Sequence, residues 1–400
     1  MLTKPRMLTP GPTPLPDRVR LAMARDMIHH RTTEFMAIME RVQQGLRRLF
    51  GTDQPVLPLT ASGTGAMSAA VGSLFKPGEK VLVIEGGKFG QRWTEICRTY
   101  GVEAVVLSVP WGQTVQPEAV AAALDADSGI SGVLVQHSET STGAQHPVRW
   151  IAEITRKRDL LLVVDGISAV SITPCPMDAW GVDCLLTGSQ KGLMLPPGLA
   201  LIALSARAWA KAETVPVRDY YFDLHKERKN SLSGQSAYTI PVSLILGLDE
   251  SLRMFEEVGL EAIFKKQWAL TMLARKGVEA LGLELFVKDN FAWGVTGVLL
   301  PAGVESGPLL AHAAQRYGVV MAAGQDEWKN RMIRIGHMGW VDYGDIAAGL
   351  HALAGSFAHC GGYLGSRNYL EQALEAYWTA LDEGYAEALS QEASSPSPSL

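Results

Sequence analysis

The sequence predicts an α/β protein whose larger part is built on a mostly parallel β-sheet. Short apolar runs rich in β-branched residues recur between residues 56 and 204. Most of these runs are apolar at successive positions, which is typical of strands covered on both faces. Segments with apolar and charged residues at helical spacing, such as 148–158, separate them. Because strands and helices alternate, we expect the strands to share one sheet.

Seven runs have this character and are predicted to be the strands of the sheet. In chain order they are 56–60, 80–84, 104–107, 132–135, 160–164, 183–186 and 200–203. The turn-forming pairs Pro77-Gly78 and Pro197-Gly198 stand just before the second and the last of these runs. We therefore expect a seven-stranded sheet in a larger domain that spans residues 15–247.

The sequence changes in character after about residue 244, where we expect a smaller α+β domain over residues 248–390. Its predicted elements are helices at 244–256 and 259–281, strands at 294–301, 319–321 and 331–335, and helices at 343–353 and 368–389. The two long helices are expected to join at Gly259. The Ser/Pro-rich end, 391–400, is predicted to be disordered.

Composition excludes several classes of function. The chain of 400 residues has a net charge of −5, which creates no field that attracts nucleic acid or anionic membranes. Its apolar runs are too short to cross a bilayer, and its N-terminus lacks an apolar stretch of signal-peptide length. The four cysteines form no Cys-x-x-Cys pair, so neither a metal site nor a redox motif is predicted. These features favour a cytoplasmic protein with reduced thiols.

The segment 60–68, Thr-Ala-Ser-Gly-Thr-Gly-Ala-Met-Ser, follows a predicted strand and opens a helix of small residues. Glycines allow a tight turn, the first amides of a helix attract an anion, and Thr64 adds a hydroxyl. A phosphate site is one interpretation. The spacing from Gly63 also fits a dinucleotide fingerprint without its third glycine, with Glu85 near the place of a ribose-binding acid. A tight turn without a ligand is the third alternative.

Two further polar residues follow neighbouring strands. Asp165 ends the apolar strand 160–164, and Lys191 follows the next strand, 26 residues later. Taken alone, the aspartate fits a helix cap and the lysine a solvated surface residue. Because ligands bind at the carboxyl ends of parallel strands, both can meet the phosphate loop at one sheet edge. Pyridoxal 5′-phosphate (PLP) chemistry requires such a phosphate cradle, a carboxylate for the pyridine nitrogen and a lysine that holds the cofactor.

At these residues the sequence resembles the class V aminotransferases, which have the fold type I PLP architecture, and most of all their alanine–glyoxylate and serine–glyoxylate branch. The matching stretches run through most of the chain and are 8–12, 62–65, 88–92, 137–143, 164–166, 188–192, 238–241 and 334–336. The resemblance implies a PLP-dependent transferase with a large domain on a mostly parallel seven-stranded sheet and a smaller α+β C-terminal domain. Residues 1–14 are then expected to pack near the active site and the small domain.

The resemblance also implies roles at single positions. Lys191 and Asp165 are the expected catalytic residues: the lysine carries the cofactor and the aspartate pairs with its pyridine nitrogen. The remaining expected cofactor contacts are Thr64, Gly65, Ala66 and Gln190 at the phosphate, Phe89 over the ring, Thr140 at the ring oxygen, and Thr239 at the phosphate of a partner subunit. Arg334 is expected to bind the substrate carboxylate, with Gly11 beside it.

The implied assembly is a homodimer with shared active sites. Ser236 stands where some relatives have a tyrosine, and Ala66 where some have a histidine, so only the backbone amide of Ala66 can contact the phosphate. The cluster His29-His30-Arg31 receives no role, since a solvated loop explains it equally well. His137 is interpreted as a turn residue, because Lys191 already supplies a base.

The activity implied is ping-pong transamination from a small amino acid, alanine or serine, to glyoxylate or pyruvate. Three alternatives stay open. One is another class V activity, such as 2-aminoethylphosphonate–pyruvate or ureidoglycine–glyoxylate transamination, or a lyase. The second is a nicotinamide dehydrogenase, which would use Gly63, Gly65 and Glu85 but leave Lys191 and Asp165 without a task. The third is a non-catalytic subunit that keeps the fold as a binding scaffold.

Overall fold

A computed structural model describes residues 4–362, 365–386 and 388–389. The strands are β1 (Arg6–Met7), β2 (Val56–Leu59), β3 (Lys80–Glu85), β4 (Glu103–Ser108), β5 (Ile130–Gln136), β6 (Ser138–Glu139), β7 (Ala144–Gln145), β8 (Leu161–Asp165), β9 (Cys184–Gly188), β10 (Ala200–Leu204), β11 (Glu284–Leu285), β12 (Val295–Leu299), β13 (Val319–Val320), β14 (Ala322–Ala323) and β15 (Met332–Gly336).

The α-helices are α1 (Asp17–Met23), α2 (Thr33–Phe50), α3 (Gly63–Leu74), α4 (Lys88–Thr99), α5 (Pro117–Ala126), α6 (Val148–Lys157), α7 (Met177–Trp180), α8 (Ala206–Ala212), α9 (Leu224–Ser231), α10 (Val242–Val258), α11 (Leu260–Ala280), α12 (Ser306–His312), α13 (Tyr343–His359) and α14 (Tyr369–Glu383). A π-helical turn over Ala313–Tyr317 continues α12, and Asp326–Trp328 form a 3₁₀ turn. No helix of the described residues is long and apolar enough to span a membrane.

The central sheet has seven strands in the order β2-β10-β9-β8-β5-β3-β4. Each of the seven runs predicted from the sequence is one of these strands, which confirms the mostly parallel seven-stranded sheet. Only β10 runs against its neighbours, β2 and β9, among the strands of this sheet. Pro58 lies in β2, which is an edge strand of the sheet. Proline has no N–H to donate, and an edge strand tolerates this because only one of its sides is paired.

Both faces of the central sheet are buried, as the continuous apolar runs predict, except along the edge strand β4, which is partly exposed. In β8, Leu162 and Val164 belong to a core that also contains side chains of α2, α6 and α10. Leu161 and Val163 point to the opposite face and belong to a core with side chains of α3 and α4. Full burial of one such side chain contributes about 1.5–3 kcal/mol relative to exposure. The sheet is therefore a rigid support for side chains at its carboxyl edge.

A second sheet has the order β11-β12-β15-β14, and its strands are antiparallel. Its core is shared with the helices α11, α13 and α14. The predicted strands at 294–301 and 331–335 are its central pair, and helices lie at each of the predicted places. The prediction for the last helix is wrong at its end, because Gly384 has a φ of +77° and terminates α14 after Glu383.

The N-terminal segment joins the two sheets. β1 pairs in parallel with β13, which places Arg6 opposite Val319 beside the second sheet. The carbonyl of Leu8 then accepts a hydrogen bond from the Gly336 amide at 2.7 Å. A few residues later the Thr13 amide donates to the Gln190 carbonyl at 3.1 Å, at the end of the central sheet. The predicted disorder of 391–400 lies outside the described residues, and the domain limits at 14, 247 and 390 stay predictions.

Candidate active site

A cavity of about 260 Å³ opens at the carboxyl ends of β2, β8 and β9. The residues that line it are Gly11, Pro12, Ser62, Gly63, Thr64, Phe89, Arg92, Ser138, Thr140, Asp165, Ile167, Ser168, Gln190, Lys191 and Pro197. Seven of the residues predicted for the site are among them, namely Gly11, Thr64, Phe89, Thr140, Asp165, Gln190 and Lys191. Residues far apart in the sequence thus meet at one edge of the sheet.

Lys191 follows β9 and is only 8% exposed. Its amine donates a hydrogen bond to the carbonyl of Pro10 in the N-terminal segment. Burial lowers the pKa of Lys191 to about 8, with smaller contributions from Arg334 and Arg92, while Asp165 opposes the change. Because a large fraction of this amine is neutral near pH 8, it can act as a nucleophile and as a base.

Asp165 ends β8 and is 4% exposed. Its Oδ1 accepts a hydrogen bond from the Ile167 amide at 2.8 Å. Burial raises the pKa of Asp165 to about 7, and Glu139 adds to the rise. Among the described residues no cation forms an ion pair with this carboxylate. A protonated heterocyclic nitrogen would supply that missing charge and restore the ionised form.

The first turn of α3 lies at one end of the cavity, and glycines allow its close approach. A β-carbon on Gly63 would be 2.3 Å from Ile167 Cδ1, and one on Gly65 would be 2.6 Å from Ala61 Cβ. Thr64 lines the cavity, and its predicted contact to a phosphate stays a prediction. Gly65 and Ala66 lie in the same turn but behind the lining, and the Gly65 amide donates to the Ser62 carbonyl at 2.8 Å.

Two polar side chains of the cavity have buried oxygens without a hydrogen-bond partner among the described residues. These atoms are Ser138 Oγ and Gln190 Oε1. Buried polar atoms in proteins are nearly always hydrogen-bonded, so such atoms indicate a place for a polar ligand. Together with the uncompensated Asp165 and the amine of Lys191, they fit the phosphate, ring substituents and aldehyde of PLP.

Phe89 and Arg92 lie one turn apart on α4. The guanidinium carbon of Arg92 is 4.8 Å from the centre of the Phe89 ring, and Arg92 Nη1 donates to Thr64 Oγ1 at 3.1 Å. No role was assigned to Arg92 from the sequence, although the matching stretch 88–92 contains it. The spacing of three residues from Phe89 was the available signal, since it places both on one helix face.

Arg334 lies in β15 and is 8% exposed. Its Nε donates to the Ala323 carbonyl at 3.0 Å, and its Nη1 donates to the Thr140 carbonyl at 2.9 Å. No carboxylate of the described residues forms an ion pair with this guanidinium, so it is not held in a structural ion pair there. Arg334 does not line the cavity itself but adjoins it through Thr140, whose hydroxyl is 2.6 Å from Ser168 Oγ. Burial lowers the pKa of Arg334.

Thr239 does not line the cavity and lies exposed between α9 and α10. This position is consistent with its predicted contact to a partner subunit, which stays a prediction. Glu85, the acid of the dinucleotide alternative, is hydrogen-bonded to Thr94 on α4 and does not line the cavity. His137 is buried, and burial lowers its pKa to about 3, which leaves it neutral.

Comparison with known proteins gives a consistent result. Residues 18–336 match the family model "Aminotransferase class-V". The chain is 37% identical over 364 residues to the "Soluble hydrogenase, small subunit" of Synechococcus sp., covering 90% of this chain and 95% of the relative. It is 34% identical to the serine–glyoxylate aminotransferase of Methylorubrum extorquens, with 88% and 89% covered.

The structure superposes on a solved aspartate aminotransferase of subgroup IV from Thermus thermophilus with a TM-score of 0.83, at 35% identity. That match covers 89% of this chain and 99% of the solved one. Because the family model spans most of the chain and both relatives are matched nearly end to end, family membership is shown. The chain belongs to the class V aminotransferases and is a PLP-dependent aminotransferase of fold type I.

Proposed function

We propose that this enzyme transfers an amino group from alanine or serine to glyoxylate or pyruvate by a ping-pong mechanism. One observation carries the proposal. The buried amine of Lys191 and the uncompensated carboxylate of Asp165 face one cavity, and the guanidinium of Arg334 adjoins it without a carboxylate contact. These groups supply a base, a partner for a cationic ring and a handle for a substrate carboxylate.

The residues that would hold PLP are those described above. Asp165 would pair with the pyridine nitrogen, Phe89 would cover the ring, and Thr140 would face its oxygen. The first turn of α3, with Thr64, Gly65 and Ala66, and the amide side chain of Gln190 would hold the phosphate. When bound, PLP supplies an electron sink that weakens a bond at the substrate α-carbon.

Lys191 would move the proton between the substrate α-carbon and the cofactor. Its lowered pKa makes the neutral amine available near physiological pH. The carbonyl of Pro10 accepts a hydrogen bond from this amine and thereby fixes its position beside Gly11. A positioned base of this kind contributes about 10²–10⁴-fold to the rate.

Arg334 would orient the substrate. A guanidinium has five N–H groups, of which one on Nε and one on Nη1 already donate to the carbonyls of Ala323 and Thr140. The other three N–H groups lie on the two terminal nitrogens. A substrate carboxylate would therefore bind end-on across Nη1 and Nη2, with Gly11 in the N-terminal segment close to the α-carbon.

The size of the cavity supports a small donor. Small-molecule sites are usually about 300–1,000 Å³. The cavity of about 260 Å³ lies just below this range, which favours a donor with a short side chain. Alanine and serine meet this limit, and the similarity to the serine–glyoxylate aminotransferase of M. extorquens points the same way.

Aspartate is the second candidate donor, because Arg92 brings another guanidinium to the cavity. No carboxylate of the described residues forms an ion pair with it. A donor with a side-chain carboxylate could bind there, as the similarity to the T. thermophilus aspartate aminotransferase suggests. Under this alternative, Arg92→Leu would lower kcat/KM for aspartate far more than kcat/KM for alanine.

The test is a half-reaction panel. The purified enzyme is mixed with alanine, serine, aspartate, 2-aminoethylphosphonate or ureidoglycine, and loss of the visible cofactor absorbance is followed. Glyoxylate or pyruvate is then added to restore it. We expect the largest rate constants with alanine or serine. Rapid turnover confined to the phosphonate or to ureidoglycine would contradict the proposed substrates and favour those alternatives.

We also propose a homodimer with shared sites, acting in the cytoplasm. Thr239 is exposed, and large apolar side chains near it are exposed too, with Tyr220 in contact with Tyr238. None of the four cysteines, all within the described residues, forms a disulfide, which suits a reducing compartment. Mixing Lys191→Ala with a Thr239→Arg variant tests the dimer: heterodimers would regain activity that neither homodimer has. A monomeric mass in solution would contradict it.

A further inference from the structure

The helix α4 begins without a capping side chain of its own. Its N-cap residue is Gly87, so the first amides of the helix need acceptors from elsewhere. Phe89, the proposed cover of the cofactor ring, is the second residue of this helix. Whatever satisfies these amides therefore also sets the position of that ring.

Glu139 in the β6–β7 hairpin supplies the acceptors. Its Oε2 accepts hydrogen bonds from the amides of Phe89 and Gly90, both at 3.1 Å. Its Oε1 accepts from the Ser141 amide at 3.1 Å and from the Ser141 hydroxyl. That hydroxyl in turn accepts from the Lys88 amide at 3.1 Å. The first three amides of α4 thus donate hydrogen bonds to the side chains of Glu139 and Ser141.

The Glu139 side chain is fully buried, yet no cation of the described residues forms an ion pair with it. Burial raises the pKa of Glu139, while the hydrogen bonds donated to its two oxygens lower it and favour the carboxylate. A carboxylate at a helix N-terminus also interacts favourably with the helix dipole. Space is tight, because a β-carbon on Gly87 would be 2.6 Å from Glu139 Cδ.

The next residue along the hairpin connects to the substrate handle. Thr140 directly follows Glu139, and its carbonyl accepts the hydrogen bond from Arg334 Nη1. The Thr140 hydroxyl contacts Ser168 on the other side of the cavity. This short hairpin therefore contains Thr140, the proposed contact to the ring oxygen, and it contacts both Phe89 and Arg334.

We propose that Glu139 is a positioning residue of the transamination site, whose single buried carboxylate holds Phe89 over the cofactor and the Thr140 carbonyl against Arg334. This role rests on the functions proposed above for Phe89 and Arg334. Glu139 lies behind the lining of the cavity and acts through those residues.

The test compares Glu139→Gln with Glu85→Gln in the full-length holoenzyme. Glutamine keeps the shape of Glu139 but has one acceptor oxygen, so amides at the start of α4 lose their partners. Glu85 is a matched control, since its carboxylate also bonds to α4, through Thr94 and away from the first turn. PLP dissociation, the visible circular dichroism of bound PLP, and kcat and KM for the donor are measured for both.

For Glu139→Gln we expect a PLP dissociation constant raised about tenfold, a weakened visible circular dichroism and a raised KM for the donor. Glu85→Gln should keep all three values while its melting temperature falls. If Glu139→Gln does not fold, Glu139→Asp, which keeps the charge on a shorter stem, should show smaller changes in the same direction. Identical cofactor values in the Glu139 variant and the Glu85 control would overturn the proposal. If the wild-type protein itself binds no PLP, the proposed function fails instead.

Discussion

Gly11 lies directly against Lys191: a β-carbon built on Gly11 would be 2.5 Å from Lys191 Cδ and 2.8 Å from Lys191 Nζ. The φ of Gly11 is +111°, a conformation that residues with a side chain rarely adopt. The N-terminal segment therefore reaches the reactive amine through a position that only glycine fits. This contact couples residues near the start of the chain to the end of the central sheet.

Replacement of Gly11 by alanine should displace Lys191. A shift of about 1 Å in a reacting group can lower the rate about 100-fold, so we expect at least that loss in kcat/KM for the donor. Gly303→Ala is the control, because Gly303 also has a positive φ, +88°, but has nothing within 4 Å of the added carbon. Steady-state kinetics of both variants separate the clash from backbone strain. Equal losses in the two variants would contradict the steric account.

Capture of PLP by the cofactor-free protein should depend on the charge of Lys191. Burial lowers the pKa of this amine to about 8, and only the neutral form attacks an aldehyde. The rate of PLP capture should therefore reach half of its maximum at about pH 8 and become level above about pH 9. Stopped-flow absorbance measures this rate. A rate that still rises steeply between pH 9 and 10.5 would show an unperturbed lysine.

Asp165 should make the cofactor-free protein less stable as the pH rises. Burial raises the pKa of Asp165 to about 7 from 3.8. Between these values the folded chain binds a proton that the unfolded chain releases, so stability from this group is lost as pH rises through about 7. The melting temperature of Asp165→Asn should thus exceed that of the wild type by more at pH 8 than at pH 5. The exposed Asp382→Asn should show no such difference between the two pH values.

Loss of Arg334 should act on the substrate and leave the cofactor in place. In Arg334→Gln the two terminal donors for the carboxylate are replaced by one neutral amide, so we expect the donor KM to rise about 100-fold. PLP affinity, measured by absorbance titration, should change little. A donor amine without a carboxylate should react equally with wild type and variant. A large loss of PLP affinity would instead assign Arg334 to the cofactor.

Much of the fold followed from the sequence because it depends on local patterns. The seven apolar runs fixed the strands of the central sheet, since strands buried on both faces have no polar positions. The reversed direction of β10 was not predicted, although only 11 residues separate it from β9. A parallel connection needs a crossover of about a dozen residues or more, usually through a helix, so the short link was an overlooked signal.

Residues of the candidate site could be predicted where a sequence motif directly follows a predicted strand. Asp165 ends β8 and Lys191 follows the neighbouring parallel strand β9, so their meeting could be inferred before the structure. Ile167 and Ser168 could not be found in this way, because ordinary residue types line the cavity there through tertiary packing alone. The pairing of β1 with β13 joins residues some 310 positions apart and leaves no local pattern at all.

The most direct test of the account is to find the lysine that carries the cofactor. The purified protein with PLP is reduced with borohydride, which fixes the cofactor to that lysine, and is then digested and analysed by mass spectrometry. We expect the pyridoxyl group on the peptide that contains Lys191, and no modified peptide from Lys191→Ala. A pyridoxyl group on another lysine, or none on any peptide, would contradict the assignment of Lys191 and the mechanism built on it.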